Sequence, residues 1–385
     1  MIRRCATLVV VTLASIGLPR LLHAQSPDTA AVAATATTAA FPVKLSGYVT
    51  ASYTYSTNDN GGTIAGRLYD TRHDQFMFNA AKIVLAKPVE TSSLSAGFQV
   101  DALLGTNGTA FQASGLGLGT LGDVTQALVT LNVPTGKDRY IQFKAGKSPT
   151  LMGLEVIEDV ANPNLSIGNQ FIFVENTTNT GVGSDLKFGP TVDAEVRVIN
   201  GWDLLTDNNT KKSFMGRLGF TPDAKTGFSV LGYVGPEQPL AIDPSGSNQR
   251  YGGEALLSRK LAGSVALTAQ FDAGKEQHAA PSGNDASWWA GGVWLTSDIT
   301  PKIGVALRGD YVDDKQGARS IGFFTGTAPA ADLAHKFGSG TVTLNIRSWE
   351  NALVRPEIRY DRSNLPVFGG KKDQVSFGLG VSYIY

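Results

Sequence analysis

The chain ends in the stretch VSFGLGVSYIY, residues 375–385, and the alternation of this stretch suggests the fold. Apolar or aromatic residues occupy every second position, and serines and glycines fill the positions between them. A period of two places these two sets on opposite faces of a β-strand. A strand that is apolar on one face, small and polar on the other, and aromatic at its end is typical of a transmembrane β-barrel. The last strand of a soluble β-sandwich is the alternative at this point.

The final residues carry a second indication. Gly380, Tyr383 and Tyr385 resemble the C-terminal signal by which bacterial outer-membrane barrels are recognised for assembly. We therefore expect the barrel-assembly machinery to be a partner of the last strand.

The N-terminal segment predicts export. Arg3 and Arg4 precede an apolar run at 6–18, and Ala24 followed by Gln25 offers a cleavage site, as in a secretory signal peptide. We assign residues 1–24 to this signal peptide.

Residues 25–42 are predicted to form a flexible periplasmic leader, because the second half of this segment is a low-complexity run of Ala, Thr and Val. The single cysteine, Cys5, lies in the signal peptide, so the mature chain offers no disulfide and no thiolate ligand. No further apolar run reaches the roughly 18 residues that a membrane helix needs.

The composition agrees with a membrane barrel. Charged residues make up 17% of the chain, below the roughly 25% of soluble domains. The formal net charge is zero, so the sequence gives no sign of a nucleic-acid partner.

The links between candidate strands alternate in length. Links after even-numbered strands are short and rich in turn formers, and links after odd-numbered strands are longer. This alternation is typical of outer-membrane barrels whose two termini lie in the periplasm. We therefore predict a single antiparallel up-and-down transmembrane β-barrel of about 16 strands over residues 43–385. The candidate strands lie near 43–55, 76–86, 94–103, 124–133, 139–147, 181–188, 192–200, 213–221, 227–234, 251–259, 264–274, 287–296, 302–313, 340–347, 352–361 and 375–385.

Charged residues alternate with apolar ones in several candidate strands. An Arg or Lys that faces lipid at the midplane costs roughly 2 to 4 kcal/mol, so these charges are predicted to face a wet lumen. Their functional interpretation is a charged pore wall, and the alternative is a packed interior in which opposite charges neutralise one another. The predicted pore-lining strand residues are Asp193, Glu195, Arg197, Arg308, Asp310, Arg347, Arg355, Glu357 and Arg359.

The longest link, 148–180, contains mixed apolar and acidic residues that suit a short buried segment. In sixteen-stranded outer-membrane channels the loop at this ordinal position folds into the barrel, an analogy by topology. We therefore predict that Glu155, Glu158 and Asp159 form the acidic side of a constriction facing an arginine-bearing wall. The alternative is a loop that caps the extracellular mouth.

The second candidate strand fits the barrel pattern less regularly than the others, whereas the tryptophans fit it. In the second candidate strand, Asn79 and Lys82 fall on opposite faces, which leaves the lipid side undecided. The five tryptophans lie near proposed strand ends, where aromatic girdles are expected. They are Trp202, Trp288, Trp289, Trp294 and Trp349.

Six stretches together resemble the bacterial β-barrel porin family called OmpL-like, in order along the mature chain. The resemblance implies an outer-membrane porin of a Gram-negative cell, and it implies no particular solute. The stretches are SGYVTASYTYS (46–56), AGKSPTLMGLEVIEDVANPNLS (145–166), TGVGSDLKF (180–188), RVINGWDLLTDNN (197–209), RPEIRYDRSN (355–364) and GLGVSYIY (378–385).

The functional prediction is passive diffusion of small hydrophilic solutes or ions across the outer membrane through a charged lumen. No cofactor, metal site or catalytic residue is predicted, because the sequence contains no evident grouping of Ser, His and acid. The alternative is a closed-lumen barrel with an adhesion or envelope-structural role. The expected partners are outer-membrane lipid and small hydrophilic solutes, and the sequence leaves open whether the barrel is a homo-oligomer.

Overall fold

The computed structural model describes residues 42–110, 112 and 119–385. Consecutive strands pair antiparallel, and β1 also pairs with β16, which closes the sheet into a barrel. The predicted sixteen-stranded up-and-down barrel is confirmed. The strands are β1 Lys44–Ser56, β2 Gln75–Lys87, β3 Ser95–Leu104, β4 Gly122–Gly136, β5 Arg139–Pro149, β6 Thr178–Lys187, β7 Val192–Trp202, β8 Ser213–Asp223, β9 Thr226–Pro236, β10 Gln249–Lys260, β11 Ala266–Glu276, β12 Ala286–Thr300, β13 Ile303–Asp314, β14 His335–Trp349, β15 Ala352–Ser363 and β16 Asp373–Ile384.

The alternation read from the sequence sets the two faces of the barrel. On β14, Val342 and Leu344 are exposed on the outer surface, whereas Thr341 and Thr343 are buried on the inner side. The same alternation runs along β16, where Leu379 is exposed. An apolar outer surface of this kind is stable against lipid, which takes the place of a protein core on that side.

The barrel closes at the chain's last residue. Tyr48 lies opposite Ile384, and the backbones of Gly47 and Tyr385 exchange hydrogen bonds of 3.0 and 2.9 Å. The phenol of Tyr385 donates to the carbonyl of Lys82 at 3.1 Å. A Cβ at position 47 would lie 2.0 Å from that carbonyl, so only glycine allows this close approach of β1, β2 and the terminus.

A β-bulge in β2 explains the irregular second strand. Thr50 of β1 pairs with Ala80 and Ala51 pairs with Phe78, so Asn79 is an extra residue in β2. The bulge reverses the alternation, and both Asn79 and Lys82 are therefore buried on the inner side. The expectation that they lie on opposite faces was wrong for this reason.

Links of contrasting length occupy the two rims. Those at 137–138, 224–225, 301–302 and 350–351 are tight turns, whereas those at 57–74, 150–177 and 315–334 are long. The helices are short: α1 Thr106–Ala110, α2 Asn169–Phe173, α3 Ile321–Thr325 and a 3₁₀ turn at Asp159–Ala161. Among the described residues, none of these helices has the length and apolar character needed to cross a bilayer. The predicted signal peptide and nearly all of the leader fall within residues 1–41, outside the described residues.

The tryptophan prediction was wrong for three of the five residues. Trp202, Trp288 and Trp294 are buried inside the barrel. Trp288 and Trp294 share the inner parity of β12 with Ala286 and Ala290, so their rings cannot reach an external girdle.

Candidate functional site: the inward loop and the charged inner wall

The link between β5 and β6, residues 150–177, folds into the barrel, and we name it the inward loop. Most of its residues are buried, among them Met152, Val156 and Ile167. Its polar groups bond to side chains on β2, β10, β11, β13, β14 and β15. The loop therefore contacts widely separated parts of the inner wall.

Glu155 is the centre of the contact with β13. Nη1 of Arg308 donates to Oε1 of Glu155 at 2.7 Å and to the carbonyl of Ser166 at 2.6 Å. The other oxygen of Glu155 accepts the backbone N–H of Gly168 at 2.6 Å. One carboxylate thus stabilises both the fold of the loop and its attachment to the wall.

Glu158 reaches the wall in a different direction. Its Oε1 accepts a hydrogen bond from Nζ of Lys82 on β2, and the same Nζ lies 2.9 Å from Oδ2 of Asp101 on β3. Lys82 and Asp101 were not among the site residues predicted from the sequence. A bulge signal in β2 would have been needed to find Lys82.

Three charged residues on the inner side of β15, Arg355, Glu357 and Arg359, bond to the inward loop. Glu357 accepts the backbone N–H of Leu165 at 2.7 Å, and Arg359 donates to the carbonyl of Ile167 at 2.6 Å. Arg355 donates to the carbonyl of Asp159 at 2.7 Å. Burial raises the pKa of Asp159, and the positive charge of Arg355 opposes that rise.

Asp310 on β13 completes the contact with α2. Its two carboxylate oxygens accept the side-chain and backbone N–H groups of Asn169 at 2.8 and 3.0 Å. A second loop also enters the lumen, because Arg67 from the link 57–74 donates to Asp361 at 2.9 Å and to Ser376 at 2.6 Å.

The charges of β7 form a separate group. Nη1 of Arg197 lies 2.8 Å from Asp185 on β6, and Asp193 and Glu195 accept hydrogen bonds of 2.7 and 3.0 Å from Arg217 on β8. These partners lie on the barrel wall, so the structure does not bring the β7 charges together with Glu155, Glu158 and Asp159.

Arg347 is also remote from the acidic part of the loop. It lies at the tight-turn rim, where Nη1 is 3.6 Å from Asp298 and more than a third of each side chain is exposed. A salt bridge this exposed contributes little to stability, about 0–1 kcal/mol.

An aromatic cluster covers the inward loop near the long-link rim. The ring of Phe173 in α2 stacks on Phe324 in α3 at 5.4 Å and meets Phe337 edge-on at 4.9 Å. Phe368, from the link between β15 and β16, lies 5.7 Å from Phe324. Three links therefore pack together over one side of the lumen, an arrangement that the separate sequence patterns did not indicate.

The comparisons with known proteins agree with this architecture. The family model described as "Putative beta-barrel porin-2, OmpL-like" matches residues 42–385. Among curated proteins, none matches the chain significantly.

Solved structures of bacterial outer-membrane channels share the fold at low sequence identity. The anion-selective porin from Comamonas acidovorans superposes with a TM-score of 0.59 at 11% identity, over 89% of this chain and 99% of that one. The outer-membrane channel DcaP of Acinetobacter baumannii gives 0.56 at 13% identity, over 89% and 97%. The trimer form of OmpT of Vibrio cholerae gives 0.57 at 10% identity, over 89% and 99%.

The family model covers most of the chain, and the sixteen strands close into one antiparallel barrel. Fold and family are those of a channel rather than of an enzyme. The chain therefore belongs to the OmpL-like β-barrel porin family and is an outer-membrane porin.

Proposed function

We propose that the barrel conducts small hydrophilic solutes or ions by passive diffusion, and that the inward loop forms its narrowest section. The observation that carries this proposal is the attachment of one loop to opposite parts of the wall. Glu158 bonds to Lys82 on β2, and the backbone N–H of Gly153 bonds to Glu254 on β10, eight strands away around the barrel. A segment held in this way crosses the lumen and limits the size of what passes beside it.

The passage runs along the inner wall of β5 to β8. Lys144 and Lys187 on this wall pair with Asp185 and Asp193 and keep 21% and 27% of their side-chain surface exposed. By contrast, Arg308, Arg355 and Arg359 are buried against the inward loop.

The basic side chains Lys144, Lys187, Arg197 and Arg217 on this wall outnumber the acidic side chains Asp185, Asp193 and Glu195. Excess positive charge beside a narrow aqueous path attracts anions at short range, where screening by salt is weak. The β5–β8 wall is thus expected to favour anions.

A closed barrel with an adhesion or envelope-structural role is the second candidate. The observation that favours it is that Arg308, Arg355 and Arg359 are buried and bonded to the inward loop. In that case the long links would be the working surface, and the inner charges would serve to hold the loops.

Single-channel recording separates the two candidates. The refolded chain, with its folded state checked by heat modifiability, is added to a planar bilayer under a salt gradient. Stepwise conductance supports diffusion, and correctly folded protein that never conducts supports the closed barrel.

A matched pair of variants tests the position of the passage. The double variant Lys144→Gln/Lys187→Gln should shift the reversal potential towards cations, because it removes two charges from the proposed path. The double variant Lys225→Gln/Lys302→Gln, in the exposed tight turns 224–225 and 301–302, removes the same number of charges away from the path and should leave the potential unchanged. Equal behaviour of both variants would exclude the β5–β8 wall as the route.

The partners follow from the same proposal. The apolar outer face contacts outer-membrane lipid, and the C-terminal strand engages the barrel-assembly machinery. A homotrimer is the oligomer to test first, because OmpT, which shares this fold, has been solved in a trimer form. Cross-linking in the native membrane, compared with the mass of the detergent-solubilised protein, measures the state of assembly.

A further inference from the structure

Three buried carboxylates meet where the end of the inward loop contacts the barrel wall. Glu175 lies in the loop, Glu254 on β10 and Asp272 on β11, and all three are buried. One carboxylate oxygen of each lies within 4.8 Å of those of the other two. Groups this close repel one another strongly when they are ionised, so the cluster needs protons or a cation.

The protein supplies mainly neutral donors to this cluster. Nε2 of Gln270 lies 2.6 Å from Glu175, 3.0 Å from Asp272 and 3.4 Å from Glu254. An amide has two hydrogens and cannot satisfy three carboxylates. The backbone N–H of Gly153 donates to Glu254 at 2.6 Å, and Arg217 offsets part of the charge of Glu254.

Two carboxylate oxygens remain without a hydrogen-bond donor among the described residues. They are Oε2 of Glu175 and Oδ1 of Asp272, and both are buried. Buried carboxylate oxygens are normally hydrogen-bonded or bound to a metal ion.

A neutral side chain outside the acidic cluster is also directed at it. Gln170 in α2 is 1% exposed, and its Nε2 donates to Asp272. Its carbonyl oxygen has no partner among the described residues. The two ends of an amide are exchanged by a flip about the last side-chain bond, so this oxygen can face the carboxylates instead.

The backbone of the inward loop approaches the carboxylate of Glu175 closely at Gly153. Gly153 has φ +78°, and a Cβ there would lie 2.0 Å from Oε2 of Glu175. Only glycine therefore lets this oxygen lie against the loop.

We propose that Glu175, Glu254 and Asp272 bind a calcium ion, with the carbonyl oxygen of Gln170 as a fourth ligand. The donor set consists of oxygen atoms alone, which suits a hard cation, and Ca²⁺ tolerates the irregular geometry of ligands from a loop and two strands better than Mg²⁺ does. The ion joins the end of the inward loop to β10 and β11. This proposal does not depend on whether the lumen conducts.

Titration of the refolded, chelator-treated full chain with Ca²⁺ tests the site. Calorimetry at pH 7 should give one saturable site, with a dissociation constant on the order of 10⁻³ M or tighter. Tb³⁺ in place of Ca²⁺ should give luminescence excited through tryptophan, because the ring of Trp294 and the amide of Gln170 both border Gly292.

The variants compare a cluster carboxylate with a carboxylate elsewhere on the inner wall. Asp272→Asn should weaken binding at least tenfold. Asp313→Asn should change it less than twofold, because Asp313 is buried on β13 beside Lys315 at 2.8 Å, outside the cluster. Glu175 lies in the loop, so Glu175→Gln leaves the barrel wall intact. If Asp272→Asn does not fold, Ca²⁺ binding by Glu175→Gln tests the site.

Four results would contradict the proposed calcium site or the choice of calcium as its ion. Absence of saturable Ca²⁺ binding by the folded parent protein would overturn the proposal, as would equal binding by Asp272→Asn or Glu175→Gln and the parent. Tighter binding of Mg²⁺ than of Ca²⁺ would overturn the assignment of the ion. A parent that is stabilised by acid and indifferent to Ca²⁺ would show that the cluster holds protons instead.

Discussion

Arg355 on β15 and Asp159 in the inward loop make a two-point contact inside the barrel. Nη1 of Arg355 donates to the backbone carbonyl of Asp159 at 2.7 Å, and Nη2 lies 3.3 Å from its Oδ2. Both residues are buried, so neither charge has ready access to water. Since β15 pairs with the C-terminal strand, this contact connects the loop to the region where the barrel closes.

Arg355→Met should destabilise the folded barrel by about 3–5 kcal/mol, because it leaves the carboxylate of Asp159 buried without its cation. Arg347→Gln is the matched control. It breaks a salt bridge in which both side chains are more than one-third exposed, so it should lower the free energy of unfolding by no more than about 1 kcal/mol. Urea-dependent unfolding of both refolded variants in detergent measures the difference.

The effect of Arg355→Met should also depend on pH. Burial already raises the pKa of Asp159, and loss of the arginine raises it further. A carboxyl whose folded pKa exceeds its unfolded value destabilises the protein increasingly as the pH rises above about 4, the unfolded value. The stability gap between parent and variant should therefore narrow towards pH 4 and widen towards neutral pH. A gap that is constant between pH 4 and 8 would contradict this account.

Gly153→Ala should destabilise the attachment of the inward loop by more than the conformational cost of an alanine at positive φ. Its cost combines roughly 1–2 kcal/mol for a left-handed alanine with the contact against Glu175. Gly283→Ala is the control, because Gly283 has φ +82° and no atom within 4 Å of the added Cβ. The double variant Gly153→Ala/Glu175→Ala should recover part of the loss. Limited proteolysis of the folded barrel reports release of the loop, and equal protection of the two single variants would argue against the contact.

The fold was predictable because a strand between lipid and a wet lumen must alternate apolar and polar residues. Val342 and Leu344 alternate with Thr341 and Thr343 in the sequence as they do in the barrel. The period fails at Asn79, where one extra residue reverses the faces and brings Lys82 inside. The amino-acid sequence alone does not distinguish a strand with a β-bulge from a strand with an irregular pattern.

The site was less predictable, because its pairs join residues far apart in the chain. The acidic character of Glu155 and Asp159 was visible, and so were the arginines of the wall, yet the individual pairs depend on how the loop folds. The group of Asp193, Glu195 and Arg197 has its partners on neighbouring strands instead. Local alternation shows that a charge faces inward and does not show how deep in the lumen it lies.

The orientation of the barrel gives a topological prediction. The tight turn at 137–138 should face the periplasm, and the long link at 57–74 should face the outside, with both termini in the periplasm. A protease site inserted in 57–74 should be cut in intact cells, and the same site inserted at 137–138 should be cut only after lysis. Cleavage at 137–138 in intact cells would reverse the orientation.

Tyr385 should be needed for assembly. Its phenol reaches the carbonyl of Lys82 across the closure, and its backbone pairs with Gly47. Deletion of Tyr385, or Tyr385→Ser, should therefore lower the amount of heat-modifiable barrel in the membrane. Tyr311→Ser, at an outward position on β13, is the control and should accumulate nearly as the parent does. If the two terminal variants accumulate in normal amounts, Tyr385 is not part of the assembly signal.

The final prediction concerns ion selectivity and the acidic residues of the inward loop. Glu155→Gln, Glu158→Gln and Asp159→Asn remove negative charge, while the cations bonded to these groups remain. The field in the constriction should become more positive, and the reversal potential under a salt gradient should shift towards anions. Arg355→Gln and Arg359→Gln should shift it towards cations.

Val342→Ala, on the lipid face, is the control and should leave selectivity unchanged. Each variant is compared at low and high salt, because screening weakens the effect of exposed charges more than that of buried ones. If the acidic and basic variants fold, conduct and select as the parent does, the ion pairs hold the loop in place and lie away from the path of permeation. Opposite shifts of the two sets would assign the inward loop and the β15 arginines to one constriction.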